Sequence, residues 1–401
     1  MVQSQKHFEG FEDHTLLKHA ILRRYLLRWA MKLTRGRRAH PTLVFVDAFA
    51  GAGCDTNGRP GSPLIAANAR LALGQHPTPA RLDLFLIESD ATRFAHMRDA
   101  VQQRLSSDIA GVRFEPGDYR ALLPEMASAI AGRPSLAFLD PLGVKGLDAS
   151  ALPVLLAGPQ SEVFVLVSGV AGARLHGLLR ADASSRRDAL VRARNELSLF
   201  PEIQREAEAR AERELEEYQE VLDANQPAAR EILLTALGSE QAVEELAKTP
   251  PRQRADAFVR RFGATLRRAG ARHVLAIPMR GADRRYRYTL LHGSQSAAAV
   301  STMKEAVAEG LNDTTLDDGM RERIRADLAT PLGPLADQIG TALKGQTLYW
   351  SAESRDGTSL RRLLLEQSAL FPFQWAELGQ ELRRRNWLKR GPDRKLRVTL
   401  P

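Results

Sequence analysis

The chain has 401 residues, 44% of them hydrophobic, and a formal net charge of +9 at neutral pH. That length serves two or three domains and that apolar content builds a real core, which excludes a disordered tail. A single cysteine, Cys54, excludes an intramolecular disulfide and any zinc or iron–sulfur site built from this chain's cysteines, and it suits a reducing, cytoplasmic compartment.

The N-terminal stretch "MVQSQKHFEGFEDHT" lacks the apolar centre of a signal peptide, and no segment approaches the roughly 20 apolar residues of a membrane span. From Asp13, a plausible cap, "DHTLLKHAILRRYLLRWAMKL" repeats apolar residues at Leu17, Ile21, Tyr25, Trp29 and Leu33, the stripe of an amphipathic helix. Strand "TLVFVDAF" follows, then a loop of small residues and a helix from Ser62 to about Leu73. The alternation continues through strand "LDLFLIES", helix "TRFAHMRDAVQQRL", strand "VRFEPGD", helix "YRALLPEMASAI" and strands "SLAFLDP" and "EVFVLVSG". Continuous apolar runs of this kind fit strands covered on both faces, as in a parallel sheet crossed by helices, so the class is α/β. Residues 171–270 read as helices only, an insertion that could cover a substrate or bind a partner. "HVLAIPM" and "YRYTLLHGS", joined by a polar link containing Gly281, then predict an antiparallel edge hairpin, followed by helix "AAVSTMKEAVAEG". The prolines and glycines of "TPLGPLADQIG" suggest a boundary before the last 70 residues. The domains expected are therefore 1–170 with 271–330, the helical insertion 171–270, and a C-terminal module over 340–401.

The loop "FVDAFAGAGCDTNGRPGSPL" carries the first chemical signal. Asp47 ends a strand, and Gly51 and Gly53 lie beyond its carboxyl end, where open α/β sheets bind ligands and a missing Cβ lets backbone approach them. The acid before the glycines and the long continuation to Ser62 differ from a dinucleotide fingerprint. They suit a cationic, phosphate-free ligand such as S-adenosylmethionine, whose ammonium or sulfonium charge Asp47 would answer; the plain alternative is a tight strand-to-helix turn. Phe49 lies in the same loop. Glu88, with Ser89 after it, ends the second strand where an acid accepts from ribose hydroxyls, although an acid there is often just solvated. Asp118 could bond an adenine amino group, with Tyr119 stacking on the ring, or Asp118 could simply cap the following helix. Asp140 stands at the mouth of the apolar strand in "SLAFLDPLGVKG", followed by Pro141, which fixes the turn, and a glycine, which relieves it. Lys18 lies about 20° from both Tyr25 and Trp29 on the helical wheel, within the apolar stripe. It either snorkels to solvent or reaches into the pocket beside His19. Cys54 reads as a packing residue, and no histidine pair has metal-ligand spacing, so no metal is expected.

Asp140-Pro141-Leu142-Gly143 resembles the D-P-P-Y loop of amino-methyltransferases, in which the acid holds the target amine; the second proline and the aromatic are missing here. Over roughly residues 11–310, "KHAILRRYLLRW", "VDAFAGAG", "GRPGSPLIA", "LFLIESD", "FLDPLG" and "YTLLHGSQSAAAVSTMKEAV" together resemble the three-Cys-motif partner proteins. That resemblance implies a Rossmann-like class I methyltransferase sheet, five parallel strands plus an antiparallel edge hairpin. It also implies a cofactor site including Asp47, Gly51, Gly53, Glu88 and Asp118 and a three-cysteine partner of the radical-S-adenosylmethionine type. After the fifth strand such proteins tend to carry an "NFPS"-like stretch, whereas this chain has "LVSGVAGARLHG", leaving only Ser168 of that polar set.

The last 50 residues read as helix, turn, helix and two short strands around Gly391-Pro392-Asp393, a winged-helix pattern. Residues 383–397 hold eight bases against one acid, and Arg383, Arg384, Arg385, Lys389, Arg390, Arg394 and Lys395 are placed to meet phosphates. Winged helices also dock proteins. Three functions remain open on the sequence: a methyltransferase acting on nucleic acid, a scaffold without catalysis that serves the three-cysteine partner, and a methyltransferase enclosing a small acceptor.

Overall fold

The structure is a computed structural model that describes residues 13–34, 42–76, 79–180, 225–280, 286–313, 316, 318–350, 359–391 and 395–400. It divides into two compact units: residues 1–140, 151–166 and 266–401, and residues 141–150 and 167–265.

The first unit is built on a seven-stranded, mostly parallel sheet. Its strands are β1 (Leu43–Asp47), β2 (Leu82–Glu88), β3 (Val112–Pro116), β4 (Ser135–Leu139), β5 (Glu162–Val167), β6 (His273–Arg280) and β7 (Tyr286–Ser294), in the spatial order β3-β2-β1-β4-β5-β7-β6. Strands β1, β4 and β5 are buried at every residue, as their unbroken apolar runs require when helices cover both faces. β3 lies at the edge and mixes half-buried and exposed residues. β6 and β7 pair antiparallel from His273↔Ser294 onward, as expected, while the link containing Gly281 lies outside the described residues.

Helix α1 (Asp13–Thr34) buries Leu17, Ile21, Tyr25 and Trp29, the stripe read from the sequence; Asp13 is its first residue and not a preceding cap. Helices α2 (Ser62–Gly74) and α3 (Ala91–Leu105) follow β1 and β2, and Asp90 caps α3 by accepting from the Arg93 N–H at 2.8 Å. The stretch expected as one helix after β3 is split into a 3₁₀ turn at Tyr119–Leu122 and α4 (Leu123–Ile130). Pro124 at the second position of α4 explains the break: with no N–H, it suits a first turn and cannot continue a ladder. α5 (Ala151–Leu155) precedes β5, and α10 (Ala297–Gly310) and α11 (Asp318–Leu328) follow the hairpin.

Among its described residues the second unit forms the helices α6 (Gly169–Arg180), α7 over 225–237, α8 (Glu240–Ala247) and α9 (Arg254–Arg268), whose last residues pass into the first unit, while residues 181–224 of the expected helical insertion lie outside the described residues. Its tightest approach is between α6 and α9, where a Cβ added at Gly172 would stand 2.4 Å from the ring of fully buried Phe258. No rotamer of a packed phenyl ring relieves such an overlap. Gly172→Ala is therefore expected to destabilise the protein by about 1–3 kcal/mol of overpacking, read as a lowered urea midpoint; an unchanged midpoint would mean that the helices slide apart freely.

"TPLGPLADQIG", read as a boundary, is helical from Leu332. It forms α12 (Leu332–Ala342), with Pro331 at the cap and Pro334 in the first turn, where a missing N–H costs nothing, and with Leu335 and Ile339 buried. After it come β8 (Thr347–Tyr349), α13 (Leu360–Gln367), α14 (Trp375–Arg384), β9 (Leu388–Arg390) and β10 (Leu396–Thr399), the strands pairing antiparallel in the order β8-β10-β9. Trp350, Leu364, Leu378, Leu382 and Val398 form their core. Lys304 of α10 ties this module to the sheet: it is 1% exposed, and its Nζ donates to the Ser368 carbonyl and, at 2.8 Å, to that of Leu365. Burial brings its pKa down to about 8. A lysine in the unfolded chain titrates near 10.4, so between about 8 and 10.4 the unfolded chain holds a proton that the folded one has lost, and stability rises with pH. The neutral amine keeps two N–H groups for the two carbonyls. The wild-type urea midpoint should therefore climb from pH 7.5 to 9.5 more steeply than that of Lys304→Met, and parallel pH profiles would contradict this.

Candidate functional site

In this sheet the strand order reverses between β1 and β4, and open α/β sheets bind ligands outside the carboxyl ends of the strands at that switch point. Asp47 is the last residue of β1 and Asp140 follows β4 directly. Glu88 ends β2, the neighbour of β1 on the other side. Three carboxylates thus fall at the carboxyl ends of three adjacent strands, Glu88 and Asp140 each two residues beyond the partner of Asp47.

Asp47 is fully buried. Its Oδ1 accepts from the Phe49 N–H at 3.3 Å, and its Oδ2 has no hydrogen-bond partner. Burial raises its pKa to about 7, opposed by the Ser62 hydroxyl and the Phe49 N–H; the Asp140 charge adds to the rise and the Lys18 charge subtracts from it. A buried carboxylate with an open acceptor is a strong pull on a cation or a donor.

Lys18 does not snorkel. It is 4% exposed and its ammonium is hydrogen-bonded to Asp140 Oδ2, so α1 delivers a cation to the end of β4. The ring of His19 beside it is held well below the usual histidine pKa by burial and by the Lys18 charge. Pro141, buried, begins the second unit, and Leu142 after it is 76% exposed.

The glycine loop lies open at Gly51, which has φ +66° and nothing within 4 Å of an added Cβ. Gly53 packs instead on α3, its added Cβ 3.4 Å from Met97 and Ala100. The long continuation is a small hairpin bridged at Cys54 and Pro60, its turn held by Asp55 Oδ1 accepting from the Asn57 and Arg59 N–H groups. Gly61 and buried Ser62 then start α2. Glu88 is already engaged: Oε2 accepts from the Gly51 N–H at 2.8 Å, and Oε1 accepts from the Asp90 N–H and the Arg93 guanidinium, both at 2.8 Å. A carboxylate offers about four lone-pair sites, so one remains, on Oε2. Ser89 is exposed beside it.

The adenine contacts read from the sequence are placed otherwise. Asp118 is an exposed cap that accepts from the Arg120 N–H at 2.9 Å and pairs with the same residue's guanidinium, which holds its carboxyl below the usual range. Tyr119 is 1% exposed, its ring packed edge-on to half-buried Phe49 at 5.2 Å, so it presents no face for stacking. Ser168 caps α6, accepting from the Ala171 N–H at 3.2 Å.

Two groups escaped sequence reasoning. Arg93 gave no signal beyond lying one turn into the helix after Glu88. Tyr25, Glu162 and His292 form a buried cluster, with His292 Nε2 2.7 Å from Glu162 Oε2 and the Tyr25 hydroxyl bonded to the same oxygen. Its only trace in the sequence is a charged residue opening an apolar strand.

The basic residues of the C-terminal module divide in two. Arg384 donates to Glu381 at 2.8 and 2.7 Å; Arg385 donates to Glu381 at 2.7 Å and pairs with Asp337. Together they press the Glu381 carboxyl down to about 2. Arg383, Lys389 and Arg390 are exposed, Lys395 lies 5.6 Å from the Tyr349 ring centre, and Arg394 lies outside the described residues. A separate open groove of about 570 Å³ within the second unit, between Glu245, Lys248, Pro250 and Arg260, contains no residue expected in a site.

No family model and no curated protein matches the chain. Among solved structures it is similar to a Legionella pneumophila protein described as DUF519, with 15% identity over 39% of this chain and 68% of that one and a TM-score of 0.27. It is also similar to a possible exported protein from Bordetella parapertussis, with 10% identity over 69% of this chain and 66% of that one and a TM-score of 0.28. Likenesses at this level leave function to the chain's own residues. Among the described residues no helix is long and apolar enough to cross a membrane.

The Asp47 carboxyl carries a measurable cost. Its folded pKa of about 7 lies above the unfolded value near 3.9, so its contribution to stability is complete below about pH 4 and is lost as pH rises to 7 and beyond. Asp47→Asn should stabilise the protein at pH 8 by on the order of 1–4 kcal/mol, read as a higher thermal midpoint, and much less at pH 4.5. An equal gain at both pH values would show that the carboxyl is not the titrating group.

Proposed function

We propose that this chain is a methyltransferase-like protein that takes S-adenosylmethionine at the β1–β4 switch point and acts on nucleic acid, in company with a three-cysteine partner of the radical-S-adenosylmethionine type. The observation that carries the proposal is the buried, half-partnered Asp47 carboxylate between Glu88 and the Lys18–Asp140 pair. A mostly parallel sheet with an antiparallel hairpin at one edge supports the resemblance to three-Cys-motif partner proteins. The cofactor, when bound, supplies an electrophilic methyl group on a sulfonium centre.

Each side chain has work to do. Asp47 answers positive charge, and ligand charge brought against it favours its ionised form. Bare Gly51 admits the ligand to the backbone, and the free lone pair on Glu88 Oε2 accepts a hydroxyl. Asp140 orients an acceptor, with Lys18 fixing that carboxylate in place. Alignment of acceptor and donor would supply most of the rate, as in other reactions that gain from positioning. Asp118 and Tyr119 have no part in this arrangement. The order α12, β8, α13, α14, β9, β10 supports a winged-helix reading of the module, and its basic residues support a polyanionic acceptor.

One observation favours a scaffold without catalysis. Glu88 is nearly satisfied by Gly51, Asp90 and Arg93, which closes the loop on the site where ribose hydroxyls would go. Calorimetric titration with S-adenosylhomocysteine decides between the two. The enzyme reading expects binding in the micromolar range or tighter, at least tenfold weaker in Asp47→Asn, and methyl transfer to DNA or RNA reduced by a hundredfold or more in Asp140→Asn. No heat of binding to the wild-type chain would leave the scaffold.

A further inference from the structure

Within the C-terminal module, three arginines are matched by acids of the module itself. Arg385 lies 5.2 Å from the Trp387 ring centre, and it also donates to Glu381 at 2.7 Å and pairs with Asp337. Arg384 shares Glu381, and Arg362 donates to Glu366 at 3.0 Å. Arg361 differs. It stands half-buried in the first turn of α13, its guanidinium 4.7 Å from the ring centre of Trp350, which follows β8, and 5.4 Å from that of Trp375, which opens α14. The two rings meet edge to face, 6.0 Å apart at 80°, and the cation lies over both. Trp350 is 5% exposed and backs onto α14 at Gly379, where an added Cβ would stand 3.4 Å from its ring. Among the described residues nothing accepts a hydrogen bond from Arg361, and its Nε is closed off from solvent. Burial alone acts on its pKa and lowers it, whereas a neighbouring acid would raise it. Ring faces attract the charge but leave the five N–H donors of the planar fork unanswered. A charge held partly out of water without a counter-charge is unfavourable, and an arriving anion would relieve it. The two rings also fix the plane of the fork in advance, which spares a ligand the ordering of a long side chain.

We propose that Arg361, held by Trp350 and Trp375, is a phosphate-binding site of the C-terminal module, and that its ligand is a phosphate of a duplex DNA backbone. An arginine fork matches two oxygens of one phosphate. Trp350 is nearly buried and the guanidinium lies over both rings, so the site turns a fork and no aromatic face toward a ligand. Contact of that kind is to the backbone and carries no sequence information. Eight bases against one acid over residues 383–397 of the same module favour a polyanion over a lone phosphate as its source. The proposal rests on the nucleic-acid reading above and adds to it an anchoring side chain that lies outside the basic run of the sequence.

The test uses the full chain and two fluorescent duplexes of about 20 base pairs with unrelated sequences, followed by anisotropy across a salt series. Arg361→Met should weaken binding to both by roughly tenfold or more and lower the salt slope by about 0.9, the value for one phosphate contact on a duplex. Arg361→Lys, which keeps the charge, should recover the slope. Arg361→Gln gives the same readout should the methionine variant fail to fold, as judged by near-ultraviolet circular dichroism. Arg362→Met, which removes the neighbouring cation paired with Glu366, should bind as the wild type does. If the uncharged Arg361 variants keep the wild-type affinity and slope, the guanidinium only packs on the rings, and the proposal is overturned while the nucleic-acid reading stands. An equal loss in Arg362→Met makes the effect one of overall charge and overturns it as well. If the wild type binds neither duplex, the proposal is overturned too: binding of the separated strands alone keeps the nucleic-acid reading without it, and a response to inorganic phosphate alone ends both. Cofactor binding, measured separately by calorimetry, still stands or falls on Asp47.

Discussion

The structure turns on a carboxylate that water cannot reach. Asp47 ends β1, an inner strand between the largely apolar β2 and β4, and the fold gives it one backbone N–H, a nearby hydroxyl and nothing at Oδ2. Leaving a buried acceptor unmatched costs on the order of 1–3 kcal/mol, and a pKa near 7 is the form this cost takes. An asparagine or serine would sit there more cheaply. Retaining the acid makes physical sense where something arriving at the switch point supplies the missing donor or charge.

The surroundings are built to hold that arrangement in place. Lys18 reaches Asp140 because α1 is pinned to the sheet seven residues further along, where the Tyr25 hydroxyl bonds Glu162 at the start of β5 and His292 of β7 bonds the same oxygen. Two turns of helix separate the two contacts, so they fall on one face of α1 and fix its rotation as well as its distance. The charge near the strand ends at one side of the sheet thus depends on a buried polar cluster rooted in the first residue of β5. Removing a member of such a cluster leaves its partners unmatched, which makes the anchoring firm.

Much of the fold was legible because apolar runs and helical stripes are local. β1, β4 and β5 announce themselves as continuous apolar segments, and α1 as a stripe from Leu17 to Trp29. The acids at the strand ends were legible too, since strand ends are readable. Partners were not. Nothing local says that Lys18 meets Asp140, 122 positions away, instead of bending out to solvent. Nor does the spacing reveal that Arg120 occupies Asp118, which follows from how a turn folds back on itself, or that Phe49 covers Tyr119, which follows from two loops meeting at the sheet's carboxyl edge. Pro331 and Pro334 mark a helix start as readily as a boundary, and the buried Leu335 and Ile339 beyond them belong to that helix.

Charge in the C-terminal module shows the same limit at the level of function. A count of eight bases against one acid over residues 383–397 suggests a uniformly positive surface. Folding partitions those charges by geometry: helical spacing of three and four residues brings Arg384 and Arg385 back onto Glu381, whereas strand spacing of two and cross-strand register bring Lys389 and Arg397 side by side. Helix periodicity therefore returns these bases to an acid, whereas cross-strand register sets two bases opposite each other. The positive potential a polyanion would meet is set by which bases fall on which element, so a cluster dense in sequence need not be the patch that is dense in space.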